Sequence, residues 1–202
     1  MRVRLDEDAL KNIANLTRGE YFYAGSAEDL RKVYDALTAR FTSRTATFDD
    51  LKAMSEDPRL DISAAKLRRH KAGDDCVLSY VDGTLAGYSW VHTLGRPELT
   101  PGFAISVPRD YLYNYAALTL PEFRGLGLQS YRHHQLLSSG LCGDKRGLLG
   151  FVAHTNFASR RGQAKSGYRT IGSIWLLGGR RHFVALFSGS LRRMGVRRLP
   201  AA

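Results

Sequence analysis

The chain has 202 residues, of which 44% are apolar and 24% charged, and its formal net charge is +11. That length and balance fit one globular domain with a real core, or one domain with a small helical appendage. No segment approaches the roughly 20 apolar residues of a membrane span, and the opening MRVRLDEDAL has no signal-peptide core. Cys76 and Cys142 have no metal-ligand spacing, so neither a metal site nor a disulfide framework is expected and a reducing cytoplasm is the expected setting.

Taken in order, Leu10, Ile13 and Ala14 predict a short peripheral helix within residues 1–19. Residues 20–25 read as a first strand. Ser26 and Asp29 form a capping pair for a helix with an apolar face of Leu30, Val33, Tyr34, Leu37 and Phe41. Thr47 and Asp50 repeat that signal before a second helix, which carries Leu51 and Met54 and closes at Pro58. Residues 62–70 predict a further helical turn or two. Residues 76–81 and 85–92 are strands joined at Asp82-Gly83, a strong tight-hairpin signal. Further on, residues 148–154 read as a buried strand and 156–166 as a helix that Gly167 ends. Residues 171–177 and 182–187 make a last hairpin about Gly178-Gly179. The order mixes antiparallel and crossover connections, which predicts an α+β fold around a single mixed, mostly antiparallel sheet.

The middle of the chain carries the functional signal. Residues 111–120 are an aromatic and aliphatic run suited to a buried strand, which Pro121 ends because it has no N–H for the ladder. Arg124, Gly125, Leu126 and Gly127 form a glycine-bearing loop, after which Leu128, Tyr131, Gln135 and Leu136 recur at helical spacing. A strand, a glycine turn and a helix in succession leave N–H groups unpaired at the helix start. With the helix dipole and the Arg124 charge they make a phosphate-binding end. An ordinary strand-to-helix turn needs glycine too, for steric reasons.

The run from Leu118 through Arg124, Gly125, Leu126 and Gly127 to Leu128 resembles the acyl-CoA loop of the GNAT acyltransferase superfamily, whose pattern is Arg/Gln-x-x-Gly-x-Gly/Ala. Arg124 and Gly127 match, and Gln129 stands where Gly or Ala is usual. A second stretch, His154-Thr155-Asn156 followed by Lys165-Ser166-Gly167-Tyr168, resembles the later motif in which Asn opens a helix ending in Lys-x-Gly-Phe. Asn156 is also a sound N-cap on any reading. The resemblance covers residues 21–187 and is sharpest over 111–168.

It implies an acyltransferase domain over residues 20–188 with a basic tail at 189–202, helices on both faces of the sheet, and central strands splayed around acyl-CoA. It further implies that Leu118 and Leu120 hold pantetheine backbone to backbone. Arg124, Gly125, Leu126, Gly127, Leu128 and Gln129 would bind the diphosphate, and Asn156 would contact the pantetheine arm. The co-substrate would be acetyl-CoA or another acyl-CoA, with no metal. The acceptor would be a small-molecule or peptide amine that attacks directly, without a covalent acyl-enzyme.

Such a transfer needs a deprotonated amine, a stabilised carbonyl oxygen and an exit for the thiolate. Family members often carry a Tyr seven residues after the motif Asn. Here that position is Gln163, which has no proton to give at a useful pKa. His154, at the end of the strand lining the gap, is either a group titrating near neutrality or a structural residue. Tyr113 and Tyr115 share one side of the central strand and either line an acceptor pocket or pack in the core. Ser159, Asn114 and His92 are weaker candidates, and the two cysteines read as packing.

The last acidic residue is Asp144, and only bases follow it. This suits an anionic partner, such as the phosphates of CoA or an acidic carrier protein, or else a solvated basic face. The tail RRMGVRRLPAA has no interleaved aromatics, so a stacking nucleic-acid surface is not supported. An acyl carrier protein as donor and a non-catalytic acyl-CoA-binding module stay open as alternatives.

Overall fold

The structure is a computed structural model describing residues 7–17, 21–23, 25–92, 97–100, 103–138, 140, 145–178, 183–188, 191 and 197–198. The chain divides into two units, Met1–Arg40 and Phe41–Ala202. The boundary therefore falls after residue 40, not after residue 19 as the sequence suggested.

Among its described residues the first unit holds two helices, α1 (Glu7–Thr17) and α2 (Ala27–Ala39). The Ser26 hydroxyl accepts the Asp29 N–H at 3.1 Å, so the predicted cap forms. Tyr21–Tyr23 has no regular structure, so the strand expected at residues 20–25 is absent among the described residues. Aromatic residues favour strands only where a partner strand supplies the ladder. Phe41, expected on the helix face, instead opens a strand of the second unit.

That strand, β1 (Phe41–Thr45), pairs antiparallel with β2 (Asp75–Val81), which pairs antiparallel with β3 (Thr84–His92). Asp82 and Gly83 turn the β2–β3 hairpin with φ of 48° and 78°, the left-handed pair a tight hairpin requires. Next comes β6 (Tyr111–Thr119), antiparallel to β3, and β7 (Gly147–Gly150), parallel to β6. The five-stranded order is thus β1-β2-β3-β6-β7.

Alternation along the strands gives each face its own core. Leu78, Tyr88 and Trp90 pack with Leu51 and Met54 from α3 (Phe48–Met54), whose capping box is Thr47 and Asp50, and with Leu60. A fourth helix, α4 (Ala64–Lys71), follows on that side in sequence and packs beside α3. On the other face Val77, Val91 and Leu112 meet Leu136, while Val81 and Ala86 meet Leu128, both leucines lying on α5 (Leu128–Ser138). Helices thus cover both faces, as expected.

Three features differ from the single sheet read in the sequence. The strand expected over residues 148–154 ends at Gly150, and α6 (Phe157–Lys165) starts after an Asn156 cap. The last hairpin, β8 (Ile174–Gly178) with β9 (Phe183–Phe187), forms its own two-stranded sheet. Short strands β4 (Glu98–Thr100) and β5 (Phe103–Ala104) join β10 (Arg197–Arg198), so part of the expected basic tail is paired backbone. No described helix is long and apolar enough to cross a membrane.

Candidate functional site

The site begins where β6 and β7 part. Their pairing runs from Tyr111↔Gly147 to Asn114↔Gly150 and stops, while β6 continues to Thr119. Opposite β3 the register slips between Tyr88 and Trp90, which face Leu118 and Tyr115, so Ala116 and Ala117 bulge against Ser89 alone. Ala116 sits at φ 47°, a backbone region that costs an L-residue about 1–2 kcal/mol. A bulge bends its strand and ends pairing. Here it coincides with the opening of a cleft of about 760 Å³, lined by the outer half of β6, the start of α5 and one side of α6.

At the α5 end of this cleft, among the described residues, no protein acceptor meets the N–H groups of residues 125–130. Gly125 and Gly127 take φ of 85° and 79°, which lets the chain turn tightly before the helix. Arg124 is exposed, with Nε donating to the Thr119 carbonyl at 3.3 Å, so its charge stands at the rim of the loop. Unpaired amides, a helix start and an adjacent cation are the elements of an anion cradle.

Leu118 and Leu120 are placed differently from the expectation. The Leu120 N–H donates to Ala86 O at 2.9 Å and its carbonyl accepts from Phe123 N at 3.0 Å. The Leu118 carbonyl accepts Arg132 Nη1 at 2.8 Å. Because peptide groups alternate sides along a strand, those of Ala117 and Thr119 face the open edge, where the Thr119 carbonyl already accepts Arg124 Nε. Arg132 is 1% exposed, and its Nη2 also donates to Thr119 Oγ1 at 2.7 Å. Desolvation pulls its guanidinium down to about 10. Gly87 makes room for this contact, since a Cβ there would strike the Leu118 carbonyl oxygen.

Gln129 also lies against α6. A Cβ at Gly162 would run into its Oε1, so the glycine accommodates the unusual side chain. Asn156 caps α6, its Oδ1 accepting the Ser159 N–H at 3.0 Å, and it lines the cleft with Ser159. Gln163 lines this cleft and a second one.

The expected catalytic side chains are not brought together. His154 is exposed in the turn before α6, four residues past the end of β7, so it does not end the strand lining the gap. Its carbonyl accepts Arg160 Nη1 at 3.3 Å. Tyr113 and Tyr115 stack at 5.8 Å between centroids and are partly walled in, Tyr113 on the second cleft and Tyr115 on the first. Burial pushes Tyr113 up to about 12. Tyr115 goes higher still, through burial first and then its hydrogen bond to Asp74. Neither phenol is tuned to give up a proton at neutral pH.

Two buried polar groupings were missed. Asp74, 6% exposed, accepts the Tyr115 hydroxyl on one oxygen and pairs with His92 Nδ1 on the other. On the opposite face Ser89 Oγ donates to Asn114 Oδ1 at 2.7 Å, and Asn114 Nδ2 donates to His133 Nε2 at 3.1 Å. That pattern leaves the imidazole proton on Nδ1, which is buried without a partner, as is the Tyr168 hydroxyl. Burial, with Arg132 adding to it, brings His133 down to about 4. These groups meet across gaps of 18 to 41 positions, so no local spacing announces them. Among the described residues no cluster of three metal-ligating side chains occurs.

The second cleft, about 1150 Å³, shares Phe151, Val152 and Gln163 with the first and runs between α6 and the segment leading into β8.

This architecture is a GNAT-like fold. It is shared with the aminoglycoside N-acetyltransferase AAC(6')-Iy in complex with CoA, at 13% identity and TM-score 0.52, over 69% of this chain and 99% of that one. A second crystal form of that enzyme matches at 13% identity and TM-score 0.51, over 69% and 95%. The ribosomal-protein-alanine N-acetyltransferase from Brucella melitensis biovar Abortus 2308 matches at 14% identity over 69% and 99%, with a TM-score of 0.49. No family model and no curated protein sequence matches the chain.

Proposed function

We propose that this protein is an N-acyltransferase that moves an acetyl or longer acyl group from acyl-CoA to a small-molecule or peptide amine. The carrying observation is the run of unpaired N–H groups at residues 125–130, placed at the mouth of a gap between two parted strands. In this reading those amides and Arg124 hold the diphosphate. The Ala117 peptide group and the Thr119 N–H, not the groups of Leu118 and Leu120, meet the thiol-bearing arm, with Asn156 at its side. Arg132 is a positioning residue, fixing the end of β6 from beneath.

The amine nitrogen attacks the thioester carbon, a C–N bond forms and the C–S bond breaks, with the electron pair leaving on sulfur. The amine proton is lost to water or to His154. Gln163 can hydrogen-bond the departing thiolate but cannot protonate it. Most of the rate then comes from positioning and from backbone dipoles aimed at the oxyanion.

Calorimetric titration with CoA, together with thiol release from acetyl-CoA over an amine panel, tests this reading. Absence of CoA binding would sink it. Transfer only from an acyl carrier protein would favour the second donor, which the acid-free sequence after Asp144 suits. CoA binding without any turnover would favour a binding module, which Gln163 in place of Tyr suits.

A further inference from the structure

We infer that the second cleft selects an acceptor amine bearing a carboxylate on an apolar body, of which a free amino acid with a large apolar side chain is the simplest. This rests on the acyltransferase reading and deepens it. The cleft is apolar at Phe151, Phe157, Ile171 and Trp175, and its described charged lining is Arg160, Arg161 and Arg169. Among the described lining residues there is no carboxylate. The reason is sequential: β7, α6 and β8 all lie after Asp144, beyond which the chain has no acidic residue to offer.

The nearby carboxylate on the Tyr113–Tyr115 side is Asp74, and both its oxygens are taken by Tyr115 and His92. Arg160 is turned to the His154 carbonyl, which leaves Arg161 and Arg169 exposed and without a carboxylate partner among the described residues. A polycationic amine in this cleft would give up water and meet only like charge, whereas a carboxylate would meet two guanidinium groups and an apolar wall. Because the two clefts share Gln163, an amine at that junction lies next to the donor gap while its carboxylate reaches toward Arg161 and Arg169.

The test is acetyl transfer by the full chain from acetyl-CoA to L-phenylalanine, L-phenylalaninamide, phenethylamine and spermidine, read as thiol release, with CoA affinity measured by calorimetry. Phenylalanine should exceed phenethylamine in kcat/KM by at least about fivefold, the worth of one good exposed ion pair, with spermidine lowest. The double substitution Arg161→Glu and Arg169→Glu should abolish that preference. If CoA binds but the uncharged or cationic amines are preferred, the inference falls and the donor reading stands. The inference falls in the same way if no carboxylated amine is acetylated, if a long-chain acyl-CoA alone fills the cleft, or if the double variant keeps the preference. If CoA does not bind, both fall.

Discussion

Replacing Gly127 with Asp should eliminate CoA binding while leaving the protein folded. Gly127 has φ 79°, and an added Cβ would meet no heavy atom within 4 Å, so the substitution brings backbone strain without a clash. That strain costs about 1–2 kcal/mol, tolerable against the ~5–15 kcal/mol stability of an ordinary domain. The binding effect is larger. A carboxylate held about 4 Å from one phosphate charge, at an effective dielectric of about 20, is repelled by about 4 kcal/mol. That corresponds to about three orders of magnitude in Kd.

Gly127→Ala carries the same strain without the charge and should bind within about tenfold of wild type. Titrating the three proteins with CoA, alongside thermal melts, separates the two effects. Raising salt toward 1 M, where the Debye length is about 3 Å, should recover part of the loss in the Asp variant. A folded Asp variant with wild-type affinity would refute the assignment of residues 125–130 to the diphosphate. Equal losses in the Ala and Asp variants would show that the turn geometry matters and the charge does not.

Three further outcomes are expected. Gln163→Ala should change kcat by less than about threefold, since an amide supplies no proton; a hundredfold drop with intact CoA binding would give Gln163 a direct part in the chemistry. His133, held neutral with a pKa near 4 against an ordinary 6.5, makes the folded state bind fewer protons than the unfolded one in that window. Stability should therefore fall as pH drops through 6.5, by about 2 kcal/mol at pH 5. Urea melts of wild type and His133→Gln should diverge in slope with pH, and parallel slopes would contradict the burial argument. Cys76 is fully buried and its thiol is pushed up to about 12, chiefly by desolvation. Iodoacetamide at pH 8 should leave it unmodified in the native protein and label it in urea, with labelling followed by peptide mass.

Local signals were legible where the physics is local. Ser26 with Asp29 and Thr47 with Asp50 announced their caps because a cap is satisfied within three residues. Asp82-Gly83 announced its hairpin because few other residues accept two consecutive left-handed conformations. Residues 20–25 and 41–45 show the limit: both are β-prone, but among the described residues only the second found a ladder, against β2 some forty positions away. The premature end of β7 has the same origin, because strand length is decided by the partner, and β6 turns aside at its bulge.

The chain by itself determined the glycine-bearing loop at Arg124 to Gly127, the Asn156 cap, the absence of acid after Asp144 and the α+β order of elements. Each follows from near-neighbour chemistry or composition. Tertiary structure alone decided that Leu118 and Leu120 spend their peptide groups on the protein, that Arg132 is buried beneath β6, and that Asp74 joins Tyr115 to His92. It also moved His154 off the strand end. These depend on which distant segments are pressed together and on which edge a strand leaves open, quantities set by packing and hydrogen-bond satisfaction over the whole sheet.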